Sequence, residues 1–348
     1  MKKTHMEIEL KQQPEIIEKI LDEYLYNREK ITMDAPEDVD RIILVASGSS
    51  YHCARCAMEI FGDVANIEAR AIYSSELLLK KVIPQALYIF ISQSGETTDT
   101  LSAMQKVKLL KMKTLCVTNV EDCTMWNIAD YKVGCLAGEE QSIASTKALT
   151  AQLMCLYLLA VKYAMHKGLD VRKHIENLVK IPEVIQKSID LEVKISALAK
   201  FLYKYKDIVI AADGVSYALA KEAALKIKET SYINVSAHIL GEFMHGHVAV
   251  LNNRKAILIY ISSDELSYSA IKNLEKIKED YGPALCIIGT STNRINTTYN
   301  IDCNVGDDYI LKIFSNLVIA QILALKIAEK LGRNVDKPKG LRKVVKEN

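Results

Sequence analysis

Two stretches of this chain, about 166 residues apart, can be laid on one another, and the likeness continues in order beyond them. Arg41–Ala54 aligns with Asp207–Ala220, so that Ala46, Gly48, Ser50, Tyr51 and Ala54 meet Ala212, Gly214, Ser216, Tyr217 and Ala220. Downstream, Tyr88–Ser92 meets the run Ile257–Ser262, Thr114–Thr118 meets Ala284–Ile288, and Tyr131–Cys135 meets Tyr299–Cys303. Chance is a poor explanation for four correspondences in one order, so the chain carries an internal repeat. Each copy holds short β-rich runs parted by helical patterns. That alternation predicts an α/β fold in which a parallel sheet is covered by helices on both faces. The 348 residues leave room for two such domains.

We therefore expect a helical leader over 1–30, a first domain over 31–168, a helical connector over 169–206, a second domain over 207–332 and a tail over 333–348. Pro14 opens the leader helix, and Ile16, Ile17, Ile20, Leu21 and Leu25 follow at helical spacing. Pro182 is expected to break the connector. Apolar residues make up 49% and charged residues 25%, which are globular values. With 45 basic and 43 acidic residues the net charge is +2 and no basic stripe stands out, so nucleic acid is not an expected partner. Met1-Lys2-Lys3 precedes polar residues rather than an apolar core, so no secretory signal is expected. Leu149–Met165 comes nearest to a membrane span, but Gln152 and Lys162 interrupt it, and it reads as a buried core helix. The eight cysteines are scattered, Cys53 and Cys56 being the one close pair. Core packing in a reducing cytoplasm accounts for them better than redox or zinc chemistry.

The stretch Ile89–Thr100 is the most suggestive chemically. An apolar run from Leu87 to Ile91 gives way to Ser92-Gln93-Ser94-Gly95-Glu96-Thr97-Thr98, which reads as a buried strand, a tight loop and a helix start. The helix N-terminus has unpaired N–H groups and partial positive charge, so it favours an anion, and the hydroxyls and the Gln93 amide add neutral donors. An ordinary βα turn that binds nothing has the same pattern. The stretch matches neither the nucleotide P-loop nor the dinucleotide fingerprint, which leaves a single sugar phosphate as the better fit. Ser47–Ser50 and Ala137–Thr146 are turns of the same character, and Ser142, Ser145 and Thr146 are candidate caps for the helix that follows. In the second copy the corresponding turn, Ser262–Ser267, has no glycine and two acids, which would repel an anion. The phosphate is therefore expected in the first copy and the chemistry in the second.

In the second copy Glu222, Lys226 and Glu229 are spaced to share one helix face. Glu–Lys pairs at this spacing commonly form a solvated stripe. The alternative is a polar site floor, a carboxylate base beside a cation. Gly241–His247 is the densest histidine cluster; His238, Glu242 and His245 would align on a helix as metal ligands do, whereas a histidine beside glycine at a helix end suits general acid–base work.

Five motifs, in order, are Ser92–Thr100, Ala144–Thr150, Glu222–Tyr232, Gly241–Gly246 and the tail Asp336–Lys343. In these the chain resembles the double sugar isomerase (SIS) domain family of phosphosugar isomerases, and most of all the isomerase half of glucosamine-6-phosphate synthase. The resemblance implies two flavodoxin-like domains and a homodimer with shared active sites. It implies that Ser49, Ser50, Ser92, Gln93, Ser94 and Thr97 hold the phosphate of a hexose 6-phosphate, with Ile143, Ala144 and Ser145 lining the sugar. Glu229 would move the proton between C1 and C2, His245 would open the ring, Glu222 and Lys226 would support them, and Lys343 would form a Schiff base with the ketose carbonyl. It implies no metal or other cofactor.

Departures from the pattern bear on the reaction. Met1-Lys2 leads straight into the isomerase leader, so a glutaminase domain is not expected. The usual Gly-Pro after the histidine is Gly246-His247 here. The leading expectation is an isomerase or deaminase of an amino sugar 6-phosphate, converting glucosamine 6-phosphate to fructose 6-phosphate and ammonia. The alternatives are a deglycase acting on a 6-phosphorylated fructosamine such as fructoselysine 6-phosphate, and a sugar-phosphate sensor without catalysis. Lys343 favours the first over the deglycase, whose substrate brings its own amine. Glu229 and His245 favour catalysis over sensing.

Overall fold

The computed structural model describes residues 3–27, 30–262, 267–289 and 295–343. The turn compared above at 263–266 lies outside the described residues. The chain divides into two compact units. The N-terminal unit comprises Gln12–Glu140, Ser145–Pro182 and Arg342–Asn348; the C-terminal unit comprises Met1–Lys11, Gln141–Ala144 and Glu183–Leu341.

The N-terminal unit is built on five parallel strands, β1 (Arg41–Ala46), β2 (Glu68–Tyr73), β3 (Leu87–Ser92), β4 (Thr114–Thr118) and β5 (Tyr131–Gly134). Their order is β2-β1-β3-β4-β5. β1, β3 and β4 are apolar almost throughout because both faces of the sheet are covered, and every side chain from Ile42 to Ala46 is buried. Ile43, Val45, Tyr88, Phe90 and Cys116 share a core cluster with Ala103, Met104 and Val107 of the helix Thr98–Leu109. Each of the Ile, Val, Phe and Met side chains among these contributes about 1.5–3 kcal/mol by leaving water. The helices Gly48–Ala65 and Lys147–His166 pack on each other.

The C-terminal unit repeats this plan with β6 (Asp207–Ala212), β7 (Asn234–Ile239), β8 (Ala256–Tyr260), β9 (Ala284–Ile288) and β10 (Tyr299–Ile301), again all parallel. The order β7-β6-β8-β9-β10 is that of the first sheet, and both are the flavodoxin-like doubly wound arrangement. The helix Tyr268–Tyr281 covers one face through Ile271, Leu274 and Ile277. The helix Ser216–Ser231 packs against the long helix Tyr309–Lys330.

In this order β1 and β3 are neighbours whose chains leave in opposite directions. The helix after β1 leads outward to β2, and the helix after β3 leads to β4 on the other side. A crevice therefore opens beyond the carboxyl ends of β1 and β3, where open α/β sheets bind ligands. The turns Ser47–Ser50 and Ser92–Thr97 lie at that position.

Two expectations about helices need correction. Pro182 does not break the connector, since one helix runs through it from Arg172 to Asp190. A proline inside a helix costs about 3 kcal/mol. Leu178, Ile181, Val184 and Ile185 are buried on both sides of Pro182 and offset that cost. Of the hydroxyls expected as caps, Thr146 stands at the N-cap position but makes no side-chain cap bond to its helix. Two helices, Lys147–His166 and Tyr309–Lys330, are long and apolar enough to cross a membrane on length and composition, but their apolar windows are 89% and 94% buried within the fold.

Candidate active site

The turn after β3 is held by its own hydroxyls. Ser92 is buried; its Oγ accepts the Gly95 N–H at 3.1 Å and stands 3.2 Å from Thr97 Oγ1. Ser94 Oγ accepts the Glu96 N–H at 3.2 Å. The Gln93 carbonyl accepts the Asn119 N–H at 3.1 Å, which ties the turn to the end of β4. Gly95 has φ +64°, and a Cβ there would lie 2.1 Å from Cys123 Sγ, so both conformation and space require glycine. Glu96, the one acid in the turn, points away: its carboxylate accepts the Thr124 N–H at 2.7 Å and the Thr124 hydroxyl at 3.1 Å, at the start of the helix Thr124–Ile128. The other polar side chains of the turn are neutral. In the neighbouring turn Ser49 and Ser50 occupy the first helical residues after Gly48, both half-buried, and Ser50 Oγ donates to Gln152 Oε1 at 2.9 Å.

A second cluster in the same unit centres on Glu140, whose side chain is fully buried. It accepts the N–H of Thr146 at 2.8 Å and of Ala148 at 3.2 Å, so this carboxylate, and not the serines, caps the helix Lys147–His166. Ser145 Oγ donates to its other oxygen at 3.0 Å, and Lys343 Nζ reaches that oxygen at 2.6 Å. Ile143 and Ala144 belong to the C-terminal unit, where the Ile143 N–H donates to the Asp336 carbonyl at 3.3 Å.

In the C-terminal unit Glu222, Lys226 and Glu229 do share a face of the helix Ser216–Ser231. Lys226 Nζ lies 2.6 Å from Glu229 Oε2 and 3.6 Å from Glu222 Oε1. Glu222 and Lys226 are each 1% exposed, while the Glu229 side chain keeps 22%. The solvated stripe is therefore the wrong reading, because the neighbouring alanines and the helix Tyr309–Lys330 enclose the pair. At the same places in the first copy, 166 residues earlier, stand Cys56 and Ile60, both buried. The fold accepts an apolar pair at these positions, so the charges are not a requirement of the architecture. Buried charges of this kind mark functional candidates.

The histidines do not share a helix. His238 lies in β7, Glu242 in the single turn Leu240–Phe243, and His245 beyond it, because the chain stays extended through Ile239 and turns at Gly246, φ +108°. His238 Nε2 is 3.0 Å from Ser236 Oγ, and its ring lies 4.5 Å from that of His247. His245 is exposed, its N–H donating to the Glu242 carbonyl at 3.0 Å. Among the described residues no group of three or more His, Cys, Asp or Glu side chains is gathered as metal ligands would be.

The SIS domain description matches residues 37–162 and again 201–328. The chain belongs to the SIS family. Among curated relatives, the glutamine–fructose-6-phosphate aminotransferase (isomerizing) of Campylobacter jejuni is 30% identical over 348 residues, covering 98% of this chain and 58% of that protein. The chain thus spans a little over half the length of such relatives. Among solved structures, the C-terminal domain of the Francisella tularensis glucosamine-fructose-6-phosphate aminotransferase has a TM-score of 0.88 at 26% identity, covering 97% of this chain and 99% of that one. A Thermotoga maritima glucosamine-6-phosphate deaminase shares the fold with a TM-score of 0.78 at 24% identity, covering 98% and 99%.

Within this SIS chain, sequence reasoning missed Glu140. Its only signal was an acid six residues ahead of Thr146, in a turn where hydroxyls drew attention as caps. It also missed Asp213, whose Oδ1 accepts the Gly241 N–H at 2.9 Å and fastens the histidine-bearing loop to the end of β6.

Proposed function

We propose that the chain is a phosphosugar isomerase of the SIS family acting on an amino sugar 6-phosphate, deaminating glucosamine 6-phosphate to fructose 6-phosphate and ammonia or carrying out the related aldose–ketose exchange. The observation that carries this reading is the buried Lys226 held between Glu222 and Glu229; where the second copy buries Glu222 and Lys226 the sister copy buries Cys56 and Ile60, while Glu229 answers to the exposed Asp63. Aldose–ketose exchange needs a carboxylate to take a carbon-bound proton. Glu229 suits that role: it keeps some exposure, so substrate can reach it, and Lys226 holds the carboxylate in one orientation. A placed base of this kind supplies about 10²–10⁴ in rate.

The other residues take matching roles. Ser49, Ser50, Ser92, Gln93, Ser94 and Thr97 hold the phosphate through hydroxyls and N–H groups, and Ile143, Ala144 and Ser145 line the sugar. The exposed His245 opens the ring by donating to and accepting from its oxygens. Lys343 condenses with the ketose carbonyl, and the resulting iminium makes the adjacent C–H more acidic. The enzyme is proposed to work as a homodimer with shared sites in the cytoplasm. Its eight cysteines form no disulfide, and burial pushes the Cys116 thiol up to about 12.

One panel tests the proposal: purified protein with glucosamine 6-phosphate, with fructose 6-phosphate plus ammonia, and with fructoselysine 6-phosphate. Ammonia release from the first is expected. Lysine release from the third alone would replace this reading with a deglycase.

A further inference from the structure

The contacts of Glu140 go beyond capping a helix. Its carboxylate is fully buried, and its two oxygens divide their partners. Oε1 takes the N–H groups of Thr146 and Ala148, which open a helix of 20 residues. Oε2 takes the Ser145 hydroxyl and Lys343 Nζ, the latter at 2.6 Å. The helix N-terminus and two N–H donors favour negative charge at Oε1. Oε2 is thus a fixed negative point, set by a rigid helix, against which a tail lysine is held. Lys343 follows Arg342 at the start of the last segment of this unit and lies in no helix or strand.

We infer that Glu140 is the positioning residue for Lys343: it places the amine for condensation and remains its counter-ion through the covalent step. This deepens the reading above and rests on it. In that step the ammonium of Lys343 and the ketose carbonyl give a protonated iminium and one water. A C–N bond forms, the carbonyl C–O bond breaks, and the carbonyl oxygen leaves with two of the three ammonium protons. The nitrogen gives up a proton in order to attack and regains its positive charge as the carbinolamine loses water, so the charge is the same before and after the step. A carboxylate paired with the ammonium is therefore equally matched to the iminium, and the pair need not separate for the chemistry to proceed. Because the helix N–H groups hold Oε1, the carboxylate also stays in place while the lysine reaches the substrate.

The test is reductive trapping. Full-length protein is incubated with fructose 6-phosphate and borohydride, and the modified residue is mapped by mass spectrometry. Wild type should carry the sugar on Lys343. Glu140→Gln keeps an oxygen to accept the helix N–H groups but loses the charge; it should trap at least tenfold more slowly and lose kcat to a similar degree, with KM for fructose 6-phosphate changed less than threefold. A merely structural role would move KM and the thermal transition together with kcat. Should Glu140→Gln prove too unstable to assay, Glu140→Asp carries the test: it keeps the charge and shortens the reach, and it should slow trapping with KM preserved. Wild type without an adduct on Lys343 overturns the lysine reading and this inference with it. Wild type that traps at Lys343 while both variants trap at the wild-type rate overturns the assignment to Glu140 alone.

Discussion

The two copies of the repeat share strand order, strand direction and the place of their switch points, yet their polar chemistry has diverged. In the first copy the turns beyond β1 and β3 present hydroxyls and N–H groups, and the one acid nearby, Glu96, is occupied with the next helix. In the second copy the Ser262 N–H donates to Ser216 Oγ at 2.8 Å, and Asn316 Nδ2 donates to the Ile261 carbonyl at 2.8 Å. The helices after β1 and β6 differ in the opposite sense. The first buries Cys56 and Ile60 where the second buries Glu222 and Lys226. One architecture thus carries an apolar pair on one of these helices and a charged pair on the other. The sheet fixes where a ligand or a reactive group can stand, and a handful of side chains decide which it is.

This comparison can be broken or sharpened by substitution. The largest effect is expected at Glu229. Glu229→Gln should lower turnover by about 10²–10⁴ with hexose phosphate affinity nearly intact. A variant that keeps most of its turnover would remove the base from the second copy. Lys226→Ile, which imports the residue of the first copy, leaves the buried Glu222 carboxylate without its cation and should cost about 3–5 kcal/mol in denaturant unfolding. Adding Glu222→Cys completes the first-copy pair and should restore most of that loss without restoring turnover. If the double variant is no more stable than the single, the copies are not interchangeable at these positions.

Gly95→Ala sets a Cβ against Cys123 at positive φ and should cost about 1–3 kcal/mol, with weakened phosphate binding. Turnover lost at unchanged phosphate affinity would count against the first-copy turn as the anion site. The smallest effect is a pH dependence. Burial, and then the nearby His247 and Lys221, hold the His238 pKa below its ordinary 6.5. The folded state prefers the neutral ring, so as pH falls the unfolded chain takes up a proton first. Stability from this group is complete above pH 6.5 and is lost as pH falls through the lowered folded value. His238→Gln should flatten the fall in thermal stability between neutral and mildly acidic pH; an unchanged slope would show that His238 does not carry it.

Much of the fold was legible because buried parallel strands are written as apolar runs. Three of the five strands in each copy are such runs. The other two, Glu68–Tyr73 and Tyr131–Gly134 in one and Asn234–Ile239 and Tyr299–Ile301 in the other, lie at the sheet edges, are only partly buried, and gave no continuous apolar signal. The spacing of Glu222, Lys226 and Glu229 was legible as one face of a helix, but their burial was not, since periodicity does not say what packs on that face. Glu140 escaped because its partners come from a later turn and from the tail, 203 residues away at Lys343. A carboxylate six residues ahead of the N-cap fits no capping-box spacing, so the nearby hydroxyls took its place in the reading.

The claim on which the rest depends is that the first copy grips the phosphate while the second supplies the proton chemistry. A crystal structure with bound fructose 6-phosphate tests it most directly. The account predicts phosphate density within hydrogen-bonding distance of the turns Ser47–Ser50 and Ser92–Thr97. Phosphate seated instead on Asp213–Ser216 or beside Ser262 would contradict it.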